Sequence, residues 1–334
     1  MKAMLLRERG PLGPGRLRLE EVEDPEPGAG VVRVRVTVCA TCRTDLHVIE
    51  GDLPAARTPL VPGHQAVGVV DRIGPGCSRW RPGRRVGIAW LRSTCSTCPF
   101  CSSGAENLCE AALFTGYHAD GGYADYALVP EAYAYSIPDG FTDEEAAPLL
   151  CAGIIGYRAL RRSEVKPGGK LGIYGFGSSA HVTIQVALHR GCEVFVFTRD
   201  EAHRLMARRM GATWVGGAVD PSPVPLDGAI LFAPAGEIVP PALRSLRKGG
   251  TLALAGIHVS TIPAMEYEPH LFHEKKLTSV TANTRADGEE LLREAVEIPI
   301  RPTTRLYPME QAVQALADAR DGRIDGTAVL RIAP

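Results

Sequence analysis

The chain has 334 residues, 45% apolar and 22% charged, so about two domains are expected, and the composition is globular rather than disordered or fibrous. Its 37 Lys and Arg against 38 Asp and Glu leave a formal charge of -1, which provides no concentrated basic field for nucleic acid or an anionic membrane. The first ten residues carry no long apolar run, and no stretch reaches the roughly 18 apolar residues of a membrane span, so a cytoplasmic location is expected for a chain whose nine cysteines then favour metal binding or catalysis over disulfides.

Residues 1–150 read as a β-rich, barrel-like unit. The segment 31–38 (Val-Val-Arg-Val-Arg-Val-Thr-Val) alternates at the period of a half-buried strand, and short apolar runs at 66–70 and 85–89 are separated by the turns Gly74-Pro75-Gly76 and Pro82-Gly83. From 151 to 275, apolar segments at 170–174, 193–197, 229–232 and 251–255 alternate with helical stretches at 179–190 and 201–210, the order of a parallel sheet with crossover helices. Residues 276–334 add a strand near Lys276, helices at 287–296 and 309–321 and a last strand at 327–332. This return segment is too short for a domain and is expected to complete the other two.

Three constellations carry chemistry. Cys95, Cys98, Cys101 and Cys109 follow a C-x2-C-x2-C-x7-C pattern in a polar loop with little to bury. Four thiolates close the tetrahedron that zinc prefers, which makes the expected site structural, with an iron–sulfur cluster or unmetallated thiols as the alternatives. A dispersed set comprises Cys42, His47, His64 and Cys151. Two thiolates and one imidazole would leave a zinc with an open fourth position, although His64 also reads as a core residue and Cys151 as a small buried hydrophobe. The third is Gly175-Phe176-Gly177-Ser178-Ser179-Ala180, a G-x-G-x-x-A run between a strand and a helix, which points to a Rossmann dinucleotide site or else to a plain strand-to-helix turn.

Taken in order, these residues resemble the zinc-dependent alcohol dehydrogenases of the medium-chain dehydrogenase/reductase superfamily. The resemblance rests on Cys42-Arg43-Thr44-Asp45-Leu46-His47, Gly63-His64, the four-cysteine loop, the Gly121 to Tyr126 segment, Cys151 and the glycine fingerprint. It implies an α/β plus β architecture, a GroES-like catalytic domain and a Rossmann cofactor domain. It further implies two zinc ions per chain, a catalytic one on Cys42, His64 and Cys151 and a structural one on Cys95, Cys98, Cys101 and Cys109. Thr44 would take the proton of the alcohol, which in the family continues through a hydroxyl of the nicotinamide ribose to His47. Asp45 would orient His64, Arg43 would meet the cofactor pyrophosphate together with Gly175, Gly177, Ser178, Ser179 and Ala180, and Trp90 would line the substrate pocket or pack in the core. A homodimer or homotetramer is implied, with the strand at 276–282 as a possible pairing edge.

Three departures from the family pattern matter. Gln65 stands where a Glu usually follows the ligand histidine, which removes a negative charge near the metal. Thr327 stands where relatives often place an Arg for the pyrophosphate. Thr198 and Arg199 follow the second Rossmann strand where NAD enzymes place an acid; a hydroxyl beside a guanidinium suits a 2′-phosphate, so NADP(H) is favoured over NAD(H), with Asp200 as a possible rescue for NAD. The expected activity is reversible hydride transfer between an alcohol and NAD(P). A reductase of C=C or C=N bonds is the rival among enzymes, disfavoured by the presence of both Thr44 and His47. A non-catalytic zinc and nucleotide sensor or structural protein is the rival outside them. Cys39, Cys77 and Cys192 read as bystander thiols, and His181, His189, His203 and the acidic run 143–145 as packing or solvated positions.

Overall fold

Two sheets organise the protein, whose computed structural model describes residues 1–54, 57–298 and 300–333. The chain forms two compact units, one made of Met1–Cys151, Ala282–Arg293 and Pro302–Pro334 and the other of Ala152–Thr281 and Glu294–Arg301. The return segment thus contributes to both.

In the first unit the alternating stretch forms the strand Val31–Ala40, with Val32, Val34 and Val36 fully buried. Burial of one face of a pleated strand is the main stabilising term for such a sequence. The polar phase is not simply solvated: Arg33 is also buried, donates to Asp71 Oδ2 at 2.7 Å and lies 4.7 Å from the Tyr126 ring. Among the described residues the sheet runs Thr304–Pro308, Thr327–Arg331, Val31–Ala40, Gln65–Ile73, Arg85–Ile88, Ala134–Ser136, with Tyr126–Pro130 also paired to Val31–Ala40. Only the first pair is parallel. Two elements here carry no strong periodic signal and are revealed by the structure: the hairpin Lys2–Leu6 with Leu17–Glu21, and the short helix Arg43–Glu50. The stretch 309–321 divides into a 3-10 turn, Met309–Gln311, and the α-helix Ala312–Arg320.

In the second unit the described residues form six strands, all parallel, in the order Trp214–Gly216, Glu193–Phe197, Lys170–Tyr174, Leu226–Leu231, Leu246–Leu254, Lys276–Ser279. Numbered along the chain this is 3-2-1-4-5-6, the doubly wound Rossmann order, in which ligands bind where the order reverses, here between Lys170–Tyr174 and Leu226–Leu231. The helix Ser178–His189 follows the first strand, and Glu201–Arg209 follows the second. Leu246–Leu254 begins five residues earlier than the apolar run at 251–255, because Arg247, Lys248 and the Gly249-Gly250 pair hide its first half while Leu246 still pairs with Leu226 across a bulge. No helix among the described residues is long and apolar enough to cross a membrane.

Candidate metal and cofactor sites

Cys42 ends the turn after strand Val31–Ala40 and caps the helix Arg43–Glu50. Its own N–H donates to Asp45 Oδ2 at 2.8 Å, so the residue at the third helical position fixes the entry of the chain. The same buried carboxylate accepts from His64 Nδ1 at 2.9 Å and from the Tyr123 hydroxyl at 3.0 Å. With Nδ1 committed, His64 presents Nε2, which is buried and has no hydrogen-bond partner among the described residues.

The local backbone explains why His64 sits there. Gly63 has φ +94°, and a Cβ on it would lie 2.4 Å from the Tyr123 ring, so only glycine fits. Gly121 and Gly122 strap over this turn: Gly122 N donates to Gly63 O at 2.8 Å, and a Cβ on Gly121 would meet Gly63 O at 1.9 Å. The Gly121 to Tyr126 segment thereby holds the histidine loop and supplies Tyr123, whose contact with Asp45 nothing local in the sequence reveals.

Cys42, His64 and Cys151 offer ligand atoms that all lie within 4.8 Å of one another, with the two sulfurs 3.9 Å apart. Of these two thiols, Cys42 is held well below the usual range by the hydrogen bond from Cys151, aided by His64, against the opposing effect of burial. Burial works against a charged His64, but Asp45 and Cys42 push it up to about 10. Binding of a cation here is therefore an exchange of protons for metal. Thr44 Oγ1 lies 3.5 Å from Cys42 Sγ, and His47 lies one turn further along the same helix, its Nδ1 2.8 Å from Asp52 Oδ2. Cys39 is not part of the cluster: it is fully buried, and its sulfur faces Ala40 O.

Trp90 is half-buried and meets His64 edge-on, with centroids 4.9 Å apart, while its plane stacks on Phe114 and Tyr117. Gln65 is buried, and its amide donates to Thr41 O at 3.2 Å, a contact that a carboxylate could not make. Thr327 is buried at the start of its strand, its N–H on Thr303 O, and places no cation there.

The four-cysteine loop gathers as spaced. Cys98 and Cys101 sulfurs are 3.5 Å apart, Cys95 and Cys109 3.6 Å, and Cys95 and Cys101 3.9 Å. Zinc–sulfur bonds of about 2.3 Å in a tetrahedron separate sulfurs by roughly 3.8 Å. Backbone N–H groups of Thr97 and Cys98 pull the Cys95 thiol down to about 6, as a thiolate-binding nest should. All nine cysteines are free of disulfides.

In the second unit Gly175 has φ +86°, and a Cβ there would meet Ala233 N at 2.9 Å. Ala180 is fully buried where its helix packs on the sheet. A Cβ on Gly177 would meet nothing within 4 Å, so no protein atom demands glycine there; the backbone is left bare at the start of a helix with no side-chain cap. That is the cradle a pyrophosphate needs. Thr198 is buried and its carbonyl accepts from Arg204 Nε at 2.8 Å; Arg199 is exposed. Asp200 caps the next helix, accepting from His203 N at 3.1 Å, and that bond holds its carboxyl below the usual range.

A GroES-like unit with a three-ligand cluster, a four-thiolate loop and a Rossmann unit together define a zinc-type medium-chain dehydrogenase. Residues 28–139 match the family described as alcohol dehydrogenase GroES-like domain. The chain is 50% identical over 337 residues to a probable alcohol dehydrogenase, AdhA, of Mycobacterium tuberculosis (strain CDC 1551 / Oshkosh), covering 99% of this chain and 97% of the relative. A cinnamyl alcohol dehydrogenase from Sorghum bicolor superposes with a TM-score of 0.90 at 26% identity, covering 99% of this chain and 97% of that one. A cobalt- and zinc-bound thermostable alcohol dehydrogenase from Pyrobaculum aerophilum superposes at 0.88 and 26% identity, covering 99% of both. The chain belongs to the zinc-type alcohol dehydrogenase family of the medium-chain dehydrogenase/reductase superfamily.

Proposed function

We propose that this alcohol dehydrogenase carries two zinc ions per chain, one on Cys42, His64 and Cys151 and one on Cys95, Cys98, Cys101 and Cys109, and that it uses NADP(H) ahead of NAD(H). The observation that carries the catalytic site is His64 Nε2, buried beside two sulfurs with no hydrogen-bond partner among the described residues while Nδ1 is tied to Asp45. An unpartnered buried polar atom is costly in a finished protein, and a cation removes the cost. Three protein ligands leave a fourth position for substrate, whereas the four-thiolate loop is coordinatively closed. Zinc in the open site supplies Lewis acidity toward an alcohol or carbonyl oxygen.

The remaining roles belong to this chain's own side chains. Thr44, next to Cys42 on the same turn, is placed to accept the hydroxyl proton, and His47 is the terminus of the relay. Trp90 forms an apolar wall against His64, and its stacking on Phe114 and Tyr117 keeps that wall in place. Arg43 is exposed at the start of its helix and is read as a pyrophosphate contact, with Gly175 to Ala180 as the main cradle. NADP is favoured because Asp200 Oδ1 already caps the next helix, while Arg199, exposed beside Thr198, is the cation at the ribose position. Six thiolate ligands suit a reducing compartment, and a cytoplasmic homodimer or homotetramer is the reading for location and assembly.

The test is zinc quantitation together with a screen of alcohols and aldehydes against both cofactors. Two zinc per chain and higher kcat/KM with NADP(H) are expected. One zinc per chain contradicts the site assignment, and a clear NAD preference contradicts the cofactor reading.

A further inference from the structure

The helix Arg43–Glu50 ends at Gly51, whose left-handed backbone, φ 91° and ψ 16°, turns the chain back on itself. The N–H groups of Gly51 and Asp52 both return to His47 O, at 3.1 and 3.0 Å. The same reversal brings Asp52 Oδ2 to 2.8 Å from His47 Nδ1. Asp52 is therefore joined to His47 twice, once through its backbone and once through its side chain, and an Asp side chain is too short to drift far from a backbone held in this way. The imidazole is 14% exposed and the carboxylate 55%, so the ring is held within the protein while its partner stays in water at little desolvation cost.

An ionised carboxylate only accepts hydrogen bonds, whereas neutral imidazole has one N–H and one lone pair. We propose that Asp52 is a positioning residue for proton transfer. By accepting the Nδ1 hydrogen it fixes the tautomer of His47 that keeps a lone pair on Nε2. The proposal rests on the relay reading of His47 given above. Oxidation of a primary alcohol transfers a hydride to the nicotinamide and releases one proton with the new C=O bond. His47 Nε2 takes that proton, becomes imidazolium and passes a proton to water; in aldehyde reduction the order reverses. In the other tautomer Nε2 already bears hydrogen and has no lone pair to offer.

The test uses the zinc-loaded full chain, with single-turnover oxidation of the simple primary alcohol it oxidises fastest, followed both by reduced-cofactor absorbance and by proton release to an indicator dye. Single turnover keeps product release from masking the step. Asp52→Ala is expected to slow proton release about tenfold with alcohol KM changed less than about twofold, the low end of the loss seen when a metal-bound histidine loses its orienting partner. Asp52→Asn, whose amide oxygen still accepts the Nδ1 hydrogen, is expected to stay within about twofold of the parent. Nitrogen-15 NMR of labelled histidine should report His47 as the Nδ1–H tautomer in the parent and in Asp52→Asn, and a mixture in Asp52→Ala.

His47→Gln separates the two layers of the reading. If it leaves the single-turnover rate unchanged, the relay assignment of His47 fails and the proposal falls with it. If His47→Gln is slow and adding Asp52→Ala multiplies in its own full factor, Asp52 acts elsewhere and only the proposal is overturned; a double variant no slower than His47→Gln supports it. Should Asp52→Ala not fold, a parent spectrum with the hydrogen on Nε2 overturns the proposal without it.

Discussion

Arg285 holds Glu106 through both side chain and backbone: Nε lies 3.0 Å from both carboxylate oxygens, a terminal nitrogen donates at 2.6 Å, and its backbone N–H donates at 2.7 Å. Its guanidinium also lies 4.8 Å from the Tyr133 ring. Glu106 sits between Cys101 and Cys109, so the proposed structural zinc loop is pinned to the start of helix Arg285–Glu297. Burial raises the Glu106 carboxyl, but the Arg285 bonds outweigh it and hold the group below the usual glutamate range. Glu106→Gln should therefore cost about 2 kcal/mol at neutral pH, less than a fully buried pair because Arg285 is partly exposed. A group with a depressed folded pKa stabilises fully above its unfolded value, here near 4.5, and loses that contribution as pH falls through the folded value. Urea midpoints of the two proteins should differ most at pH 7 and converge as pH falls from 4.5 through the depressed folded value; a constant gap would show that the charge is not what matters.

Glu106 also shows where sequence reading stops. Its partner is 179 residues away, and nothing within the loop distinguishes it from a solvated acid. The signals that were legible are those in which chemistry and spacing coincide locally: the C-x2-C steps, the fingerprint between strand and helix, and the period-two strand at 31–38. Cys42 and Cys151, 109 residues apart, carry no spacing information; ligand chemistry alone leaves zinc beside a buried-hydrophobe reading, family likeness favours it, and the fold brings their sulfurs to 3.9 Å. Tyr123 and Asp52 are silent in the sequence for opposite reasons. Tyr123 acts across 78 residues, whereas Asp52 depends on a left-handed Gly51 that the sequence permits without requiring.

Asp45 accepts from His64 Nδ1, Cys42 N and the Tyr123 hydroxyl at once, so Asp45→Asn replaces one of its acceptor oxygens with a donor and removes its charge from the histidine. Metal affinity at the three-ligand cluster should fall about 10- to 100-fold while the four-cysteine loop is untouched. Timed chelator dialysis with zinc quantitation should find one zinc lost early and one retained. Tyr123→Phe, which deletes a single donor, should weaken retention far less, by about 1 kcal/mol.

The Gln65 amide donates to Thr41 O inside the protein, and Gln65→Glu would both abandon that carbonyl and bury a carboxylate. A stability loss of about 2 kcal/mol is expected from the unpaired acceptor alone. The added negative charge near the proposed zinc should also move the alkaline-activated limb of the alcohol-oxidation pH profile upward, because it opposes deprotonation of the substrate. Coincident profiles, or a shift to lower pH, would remove any electrostatic role for Gln65 and leave the structural one.

The proposed preference for NADP can be tested at one side chain, because the neighbouring carboxylate already caps a helix. Asp200 accepts from His203 N at the head of helix Glu201–Arg209, and Arg204 is spent on Thr198 O and Glu201. In the proposed reading Arg199 would meet a 2′-phosphate, and a charge-assisted contact of about 2 kcal/mol corresponds to roughly a 30-fold change in affinity. Arg199→Ala should therefore raise KM for NADP by about that factor and leave KM for NAD within about twofold. Asp200→Asn retains the capping oxygen and should alter neither preference. If Asp200→Asn instead abolishes use of NAD, the carboxylate leaves its cap to bind the ribose, and the preference must be set by movement of the turn rather than by Arg199.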